Sequence, residues 1–342
     1  MKKIIAAAVA ASVSAVAMAD ISITGNANYE YFSKTVGGAT EKTTNDSDME
    51  VNLQVVGKTG DTSVVANFEL TSASATDNSN GGGIDVEDLY MTTKVGDLKI
   101  KAGDFASGTT ALGGEIDNGG RSFNKVDIST KVGPATVGYA VASSSATVAD
   151  YNGDAAVVYG SMDVAGTKVS FKDNSDSYTI VGLSGSAGGI NYRIENKDND
   201  STATGDALFY EFGTKIGDMT VSYAAIDADN ANATNTTGAI TEDDSTVFAQ
   251  DAHDKGLTGI KQITVGTSID GTAVKLRAGT RTGGVVSSTT YQDADFLEIA
   301  ATRPLASGAT LTVSYADADQ VTATGSTMYD DQTLEIDLSV KF

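Results

Sequence analysis

The last nine residues, Leu334 to Phe342, alternate apolar and polar without a break. In an extended chain successive side chains point to opposite faces. Leu334, Ile336, Leu338, Val340 and Phe342 therefore share one face, and Glu335, Asp337, Ser339 and Lys341 the other. The same period recurs upstream. Ile21, Ile23, Ala27, Tyr29 and Tyr31 oppose Ser22, Thr24, Asn26, Asn28 and Glu30. Met49, Val51, Leu53 and Val55 oppose Glu50, Asn52 and Gln54, and Val64, Ala66, Phe68 and Leu70 oppose Asn67, Glu69 and Thr71. Leu208, Tyr210 and Phe212 oppose Glu211 and Lys215, with Phe209 as an exception, while Val274, Leu276 and Ala278 oppose Lys275, Arg277 and Arg281. One face is oily and the other polar and often charged, which is strand patterning and not helix patterning.

Between these segments lie brief glycine-containing turns: around Gly60, Gly96, Gly133, Gly166, Gly188, Gly217, Gly271 and Gly308. Each is hairpin chemistry. Between successive turns runs a longer stretch rich in Asp, Asn, Ser and Gly, such as 35–47, 72–83, 105–123, 143–153, 197–205, 227–258, 282–292 and 317–328. Short turns on one side and long loops on the other are the asymmetry of barrels that cross an outer membrane. Eight tight turns predict about nine hairpins and so about eighteen strands; the weak segment near 169–185 leaves sixteen open.

The amino terminus reads as a secretory signal. Lys2 and Lys3 precede a small-residue apolar stretch, and Ala17-Met18-Ala19 fits the A-x-A cleavage rule, leaving Asp20 as the mature start. That stretch is shorter than the roughly 20 residues a spanning helix needs, and no longer apolar run follows. Residues 1–19 are thus expected to be cleaved and 20–342 to form a single domain. Losing two lysines takes the formal charge from −22 to −24. Such an acidic excess excludes nucleic acid as a partner, because phosphate neutralisation needs basic patches. The sequence holds no cysteine, which excludes disulfides and thiolate metal sites. Mean hydropathy is only −0.11, as expected where only every second strand residue meets lipid.

A one-sided soluble sheet would show similar alternation. Against it, Tyr29, Tyr31, Phe32, Tyr90, Tyr192, Tyr210, Phe212, Tyr315 and Phe342 tend toward strand ends, where an aromatic girdle sits at lipid headgroups. Trp is absent, so the girdle must rest on Tyr and Phe. The expected fold is all-β: a transmembrane antiparallel β-barrel of 16–18 strands in a cell outer membrane.

On the signal, the turn-and-loop rhythm and the terminal Asp337-Leu338-Ser339-Val340-Lys341-Phe342 segment, the chain resembles the Gram-negative outer-membrane general-diffusion porins. The resemblance implies that Phe342 is an insertion signal read by the barrel-assembly machinery. It implies a homotrimer among outer-membrane lipid and lipopolysaccharide, with three parallel channels. It also implies that the third long loop, within the glycine-rich segment Gly103–Lys125, folds into the lumen. That loop would present Asp104, Glu115 and Asp117, with Arg121, at the constriction. Family porins set clustered arginines opposite those acids; here the candidate inward bases are scattered, as Lys99, Lys101, Lys125, Lys168, Arg193, Lys215, Lys275, Arg277 and Arg281. Glu50, Glu69, Asp88, Glu335 and Asp337 supply inward acids.

The roster for catalysis is thin. The single histidine, His253, lies in the longest acidic loop; with no second histidine and no cysteine, histidine metal clusters are excluded and a triad has at most this one loop candidate. Asp243-Asp244 and Asp330-Asp331 read as solvated loop charges, and no enzyme activity is expected. Loop Asp, Asn and Gly are suited to Ca²⁺, but no segment has the spaced EF-hand pattern, so no cofactor is assigned. The reading is a water-filled channel for small hydrophilic solutes and cations. A substrate-specific channel would need an aromatic track or dedicated charges along the lumen, and none is visible in the sequence. A secreted structural or adhesive β-protein would lack the lipid-facing alternation.

Overall fold

The computed structural model describes residues 20–37, 42–71, 83–106, 121–141, 156–174, 178–200, 205–230, 247–248, 256–319, 322–324, 326–327 and 330–342, without the side chains of 106 and 121–124. The chain runs through β1 (Asp20–Val36), β2 (Lys42–Thr59), β3 (Thr62–Thr71), β4 (Ile84–Val95), β5 (Leu98–Ala106), β6 (Arg121–Val132), β7 (Ala135–Val141), β8 (Ala156–Val164), β9 (Thr167–Asn174) and β10 (Tyr178–Ala187). It continues through β11 (Ile190–Asn199), β12 (Ala207–Ile216), β13 (Met219–Ala228), β14 (Leu257–Ile269), β15 (Thr272–Gly283), β16 (Val285–Val286), β17 (Thr289–Thr290), β18 (Ala294–Pro304), β19 (Ala309–Asp319) and β20 (Asp330–Lys341). β16 and β17 make a separate small hairpin. The other eighteen pair antiparallel in chain order, and β1 pairs with β20, so the sheet closes on itself. The turn count of eighteen holds. Closure leaves no open edge, which the hydrocarbon of a membrane demands, since water is not there to satisfy backbone groups.

All eight short turns lie at the end that carries Asp20 and Phe342, and the longer connections at the other. The turn at Asp270-Gly271 shows why the spacing is so tight. Both residues have positive φ, 49° and 79°, the type I′ geometry whose twist matches that of the flanking strands. Gly188-Gly189 repeats it at 59° and 82°.

Faces follow from parity. Ile23, Val86, Met91, Val181, Ile263, Leu297 and Leu338 are exposed on the outside, as a barrel without its lipid must show them. Tyr29, Tyr192, Tyr210, Phe212, Tyr315 and Phe342 share that face, and the ring of Tyr210 lies 6.2 Å from Phe212 and 6.1 Å from Tyr223. Two aromatic residues expected in the girdle belong to the opposite face. Phe32 stands in register with Asp46 and Glu335, and Tyr90 lies against Lys101 inside the barrel. A β-bulge at Glu87 of β4, opposite Asn67 and Phe68 of β3, shifts the parity that the sequence alone suggests there.

The first long loop is also shorter than expected. β1 reaches Val36 and β2 begins at Lys42, where the sequence reads as a loop over 35–47. Polar side chains knit the strands beyond the oily belt: Thr35 Oγ1 and Thr43 Oγ1 are 3.0 Å apart, and Lys34 Nζ lies 3.3 Å from Asp331. A tilted strand needs roughly 9–11 residues to cross the hydrocarbon, so these two project past it.

Five strand glycines lie directly across from an aromatic residue whose ring covers them: Gly25 with Phe342, Gly138 with Tyr159, Gly160 with Phe171, Gly185 with Tyr192 and Gly279 with Phe296. The first pair sits on the seam that closes the barrel. Gly25 N–H donates to Phe342 O at 2.8 Å and Phe342 N–H to Gly25 O at 3.0 Å. A Cβ on Gly25 would collide first with the backbone oxygen of Asn52, and would meet Phe342 Cζ at 3.0 Å and Leu53 Cδ2 at 3.1 Å.

Candidate functional site: the luminal wall

The inward face divides by charge. On β20, β1, β2, β3 and β4 it carries Glu335, Asp337, Glu30, Asp48, Glu50, Glu69 and Asp88. Asp337, Glu30 and Asp48 are register partners on three adjacent strands, so three carboxylates stand side by side. Like charges directly opposite are destabilising in a sheet. Amides temper the wall: Asn52 donates to Glu50, Gln54 Nε2 to Asn67 Oδ1 at 3.1 Å, and Asn67 Nδ2 to Asp88 Oδ2 at 2.7 Å.

Half a circumference from β2, the strands around β11 carry the bases. Lys168, Lys172, Arg193, Lys197, Lys215, Lys275, Arg277 and Arg281 all face inward. Arg193 Nη2 lies 3.2 Å from Glu195 Oε1, and Arg277 Nη1 pairs with Glu298. Arg281 is 3 % exposed and donates to Asp319 O. These eight bases stand on β9 to β15, because consecutive strands occupy consecutive sectors, while Lys99, Lys101 and Lys125 stand apart from them on β5 and β6.

Inward bases on both β5–β6 and the strands around β11 lie over aromatic rings. Lys101 Nζ sits 3.9 Å from the Tyr90 ring centroid and 4.0 Å from that of Phe105, with Lys125 5.4 Å from the latter. Lys197 and Lys172 lie over Tyr178 at 4.3 and 5.1 Å, Arg193 over Phe209 at 4.8 Å and Arg281 over Phe296 at 6.0 Å. Cations over ring faces are attracted by the ring quadrupole. These meetings of base and ring are not legible in the sequence, since the partners come from different strands. The one available signal was Phe209, which breaks its strand's alternation because it fills the lumen.

Phe209 anchors an apolar cluster with Ile226, Leu257, Ile260 and Phe296. Phe248, from the connection between β13 and β14, completes it. Its ring meets that of Phe209 edge-on at 6.1 Å and 78°, and Gln262 Nε2 donates to Val247 O at 2.8 Å. Val247 and Phe248 therefore lie inside the barrel, against this part of the wall.

The remaining expected residues fall as follows. Lys99, Lys101 and Lys125 face inward on β5 and β6. Asp104 stands across from the outward Leu89, beside the irregularity at Gly103. Arg121 pairs with Ala106 through the backbone; Glu115, Asp117 and His253, like the signal segment 1–19, lie outside the described residues. Among the described residues no group of three or more His, Cys, Asp or Glu side chains is arranged to hold a metal ion.

No family model matches the sequence, and no curated protein matches it. Solved structures do match the fold. OccK8 (OprE) of Pseudomonas aeruginosa superposes with a TM-score of 0.63 at 10% identity, covering 94% of this chain and 98% of that one. A BenF-like porin from Pseudomonas fluorescens Pf-5 gives 0.64 at 11%, covering 94% and 99%. OpdK of Pseudomonas aeruginosa, solved with vanillate, gives 0.61 at 8%, covering 94% and 99%. At these identities the likeness shows the fold alone: the chain is a closed eighteen-stranded antiparallel barrel that shares the fold of these structures.

Proposed function

We propose that the protein is a passive outer-membrane channel that passes small hydrophilic solutes and favours cations among inorganic ions. A barrel of this strand number leaves an aqueous interior, and ring charges at a constriction select ions. The observation that carries the reading is the row Asp337, Glu30 and Asp48 on the inward face, within a chain of strongly negative charge. That field raises the local cation concentration. Reversal potential under a KCl gradient in planar bilayers is the test; a cation preference supports the proposal and an anion preference overturns it. The family resemblance supports a homotrimer, inserted through its Phe342 strand, and chemical cross-linking of the purified barrel tests the protomer number.

A second reading has its own observation. The band of bases over aromatic rings, from Lys101 to Arg281, is suited to small organic anions that carry a ring, and one structural neighbour holds vanillate. On this reading the pore is substrate-specific. Added benzoate-type carboxylates then reduce KCl conductance in a saturable way, and Arg193→Gln with Arg281→Gln abolishes the block. A block that never saturates leaves general diffusion as the function.

A further inference from the structure

Near the short-turn end of the lumen, β2 to β6 enclose a recess of about 480 Å³. Four lysines line it: Lys58, Lys94, Lys99 and Lys101. Lys94 and Lys99 are register partners across the turn that joins β4 to β5, so two ammonium groups are held side by side where like charges repel. One tier further into the barrel, Lys58, Ser63, Thr92 and Lys101 run across four strands as successive register partners. None of the four lysines is in an ion pair among the described residues. The carboxylates lining the recess are Asp61, at the turn, and Asp127. Asp127 already accepts from the Tyr159 hydroxyl at 2.7 Å. Lys101 leans toward Tyr90 and Phe105 at the inner edge, which leaves Lys58, Lys94 and Lys99 facing the opening.

We propose that this recess is an oxyanion subsite for a tetrahedral dianion, either inorganic phosphate or the phosphoryl group of a small organic phosphate. Three lysines that line one recess with serine and threonine hydroxyls suit a doubly charged group with several acceptor oxygens. Lysine serves phosphate as a compact charge with rotatable donors. A monovalent anion leaves the Lys94–Lys99 repulsion largely in place. The low-dielectric wall focuses the field of the cluster into the recess. The inference rests on the reading of the barrel as a channel with an open lumen.

Calorimetric titration of the detergent-solubilised barrel with inorganic phosphate, and separately with glycerol 3-phosphate, tests the subsite, with KCl conductance measured on the same preparations. Saturable binding of either ligand is expected, the tighter one identifying the source. In Lys94→Gln/Lys99→Gln affinity drops at least tenfold. In Lys42→Gln/Lys341→Gln, which removes equal charge elsewhere on the inward face, it stays within about twofold. The inference is overturned if a conducting barrel binds neither ligand, if acetate binds as tightly, or if both double variants weaken binding equally. A barrel that binds phosphate but does not conduct KCl sinks the channel reading instead.

Discussion

Gly25 is where one hydrogen atom decides a packing arrangement. Phe342 lies over its α-carbon, and both backbone groups of each residue are exchanged across the β1–β20 seam. In Gly25→Val the side chain displaces Phe342 and Leu53, a forced overpacking that costs about 1–3 kcal/mol. Urea unfolding in lipid vesicles should show that loss. Gly57→Val, on the same outward face with open space around it, is expected to stay within about 0.5 kcal/mol, as surface substitutions do; equal destabilisation of both would refute the seating. A second residue-scale expectation concerns the acidic row. Glu30→Gln removes two like-charge contacts, with Asp337 and Asp48, each costing on the order of 0.2–1 kcal/mol. The variant should therefore be more stable than the parent while showing a lower cation-to-anion permeability ratio, so stability and selectivity move in opposite directions.

At the scale of elements, the strands were legible and their insertions were not. Period-two alternation marks β20, β1, β2 and β3 without ambiguity, because half of every strand must meet lipid and half must not. The turns were legible for a similar reason: a two-residue hairpin needs positive φ, so Asp270-Gly271 has little chemical freedom. What alternation does not encode is which inward side chains meet across the lumen, or what a connection does after leaving the sheet. Phe248 lies in a polar, Asp- and Asn-rich stretch, and nothing local marks it as buried; its partners Phe209, Ile260 and Phe296 come from three separate strands. Tyr90 read as a girdle residue for want of the bulge at Glu87 of its own strand, β4. The buried placement of Phe248 makes its own prediction. Phe248→Ala should loosen the β13–β14 connection from the wall and raise single-channel conductance, whereas conductance unchanged from the parent would show that this segment does not narrow the path.

Viewed as one body, the barrel turns a one-dimensional order of charges into a two-sided lumen. The acidic row on β20, β1 and β2 and the bases around β11 come from distant stretches of chain, and closure sets them face to face. In the sequence those same bases read as dispersed, because the angular position of a strand is fixed only when the strand count and the closing pair are known. The electrical consequence depends on screening. The Debye length falls from about 10 Å at 0.1 M salt to about 3 Å at 1 M, so cation preference should decline across that range. A preference that is constant with salt would place selection at a dehydrated constriction instead of in the wall field.

The five glycine–ring pairs bear on how the barrel avoids misregistration. Oily-and-polar patterning penalises a slip of one residue, which would turn every side chain to the wrong medium. It is blind to a slip of two, which restores the pattern. The glycine notches are not blind: two positions away, the rings of Phe342, Phe171 and Tyr192 would land on Ile23 or Ala27, on Val158 or Met162, and on Leu183 or Ala187, where a Cβ already fills the space. The keyed positions thus remove the ambiguity that alternation leaves, and they do so at the seam as well as within the wall.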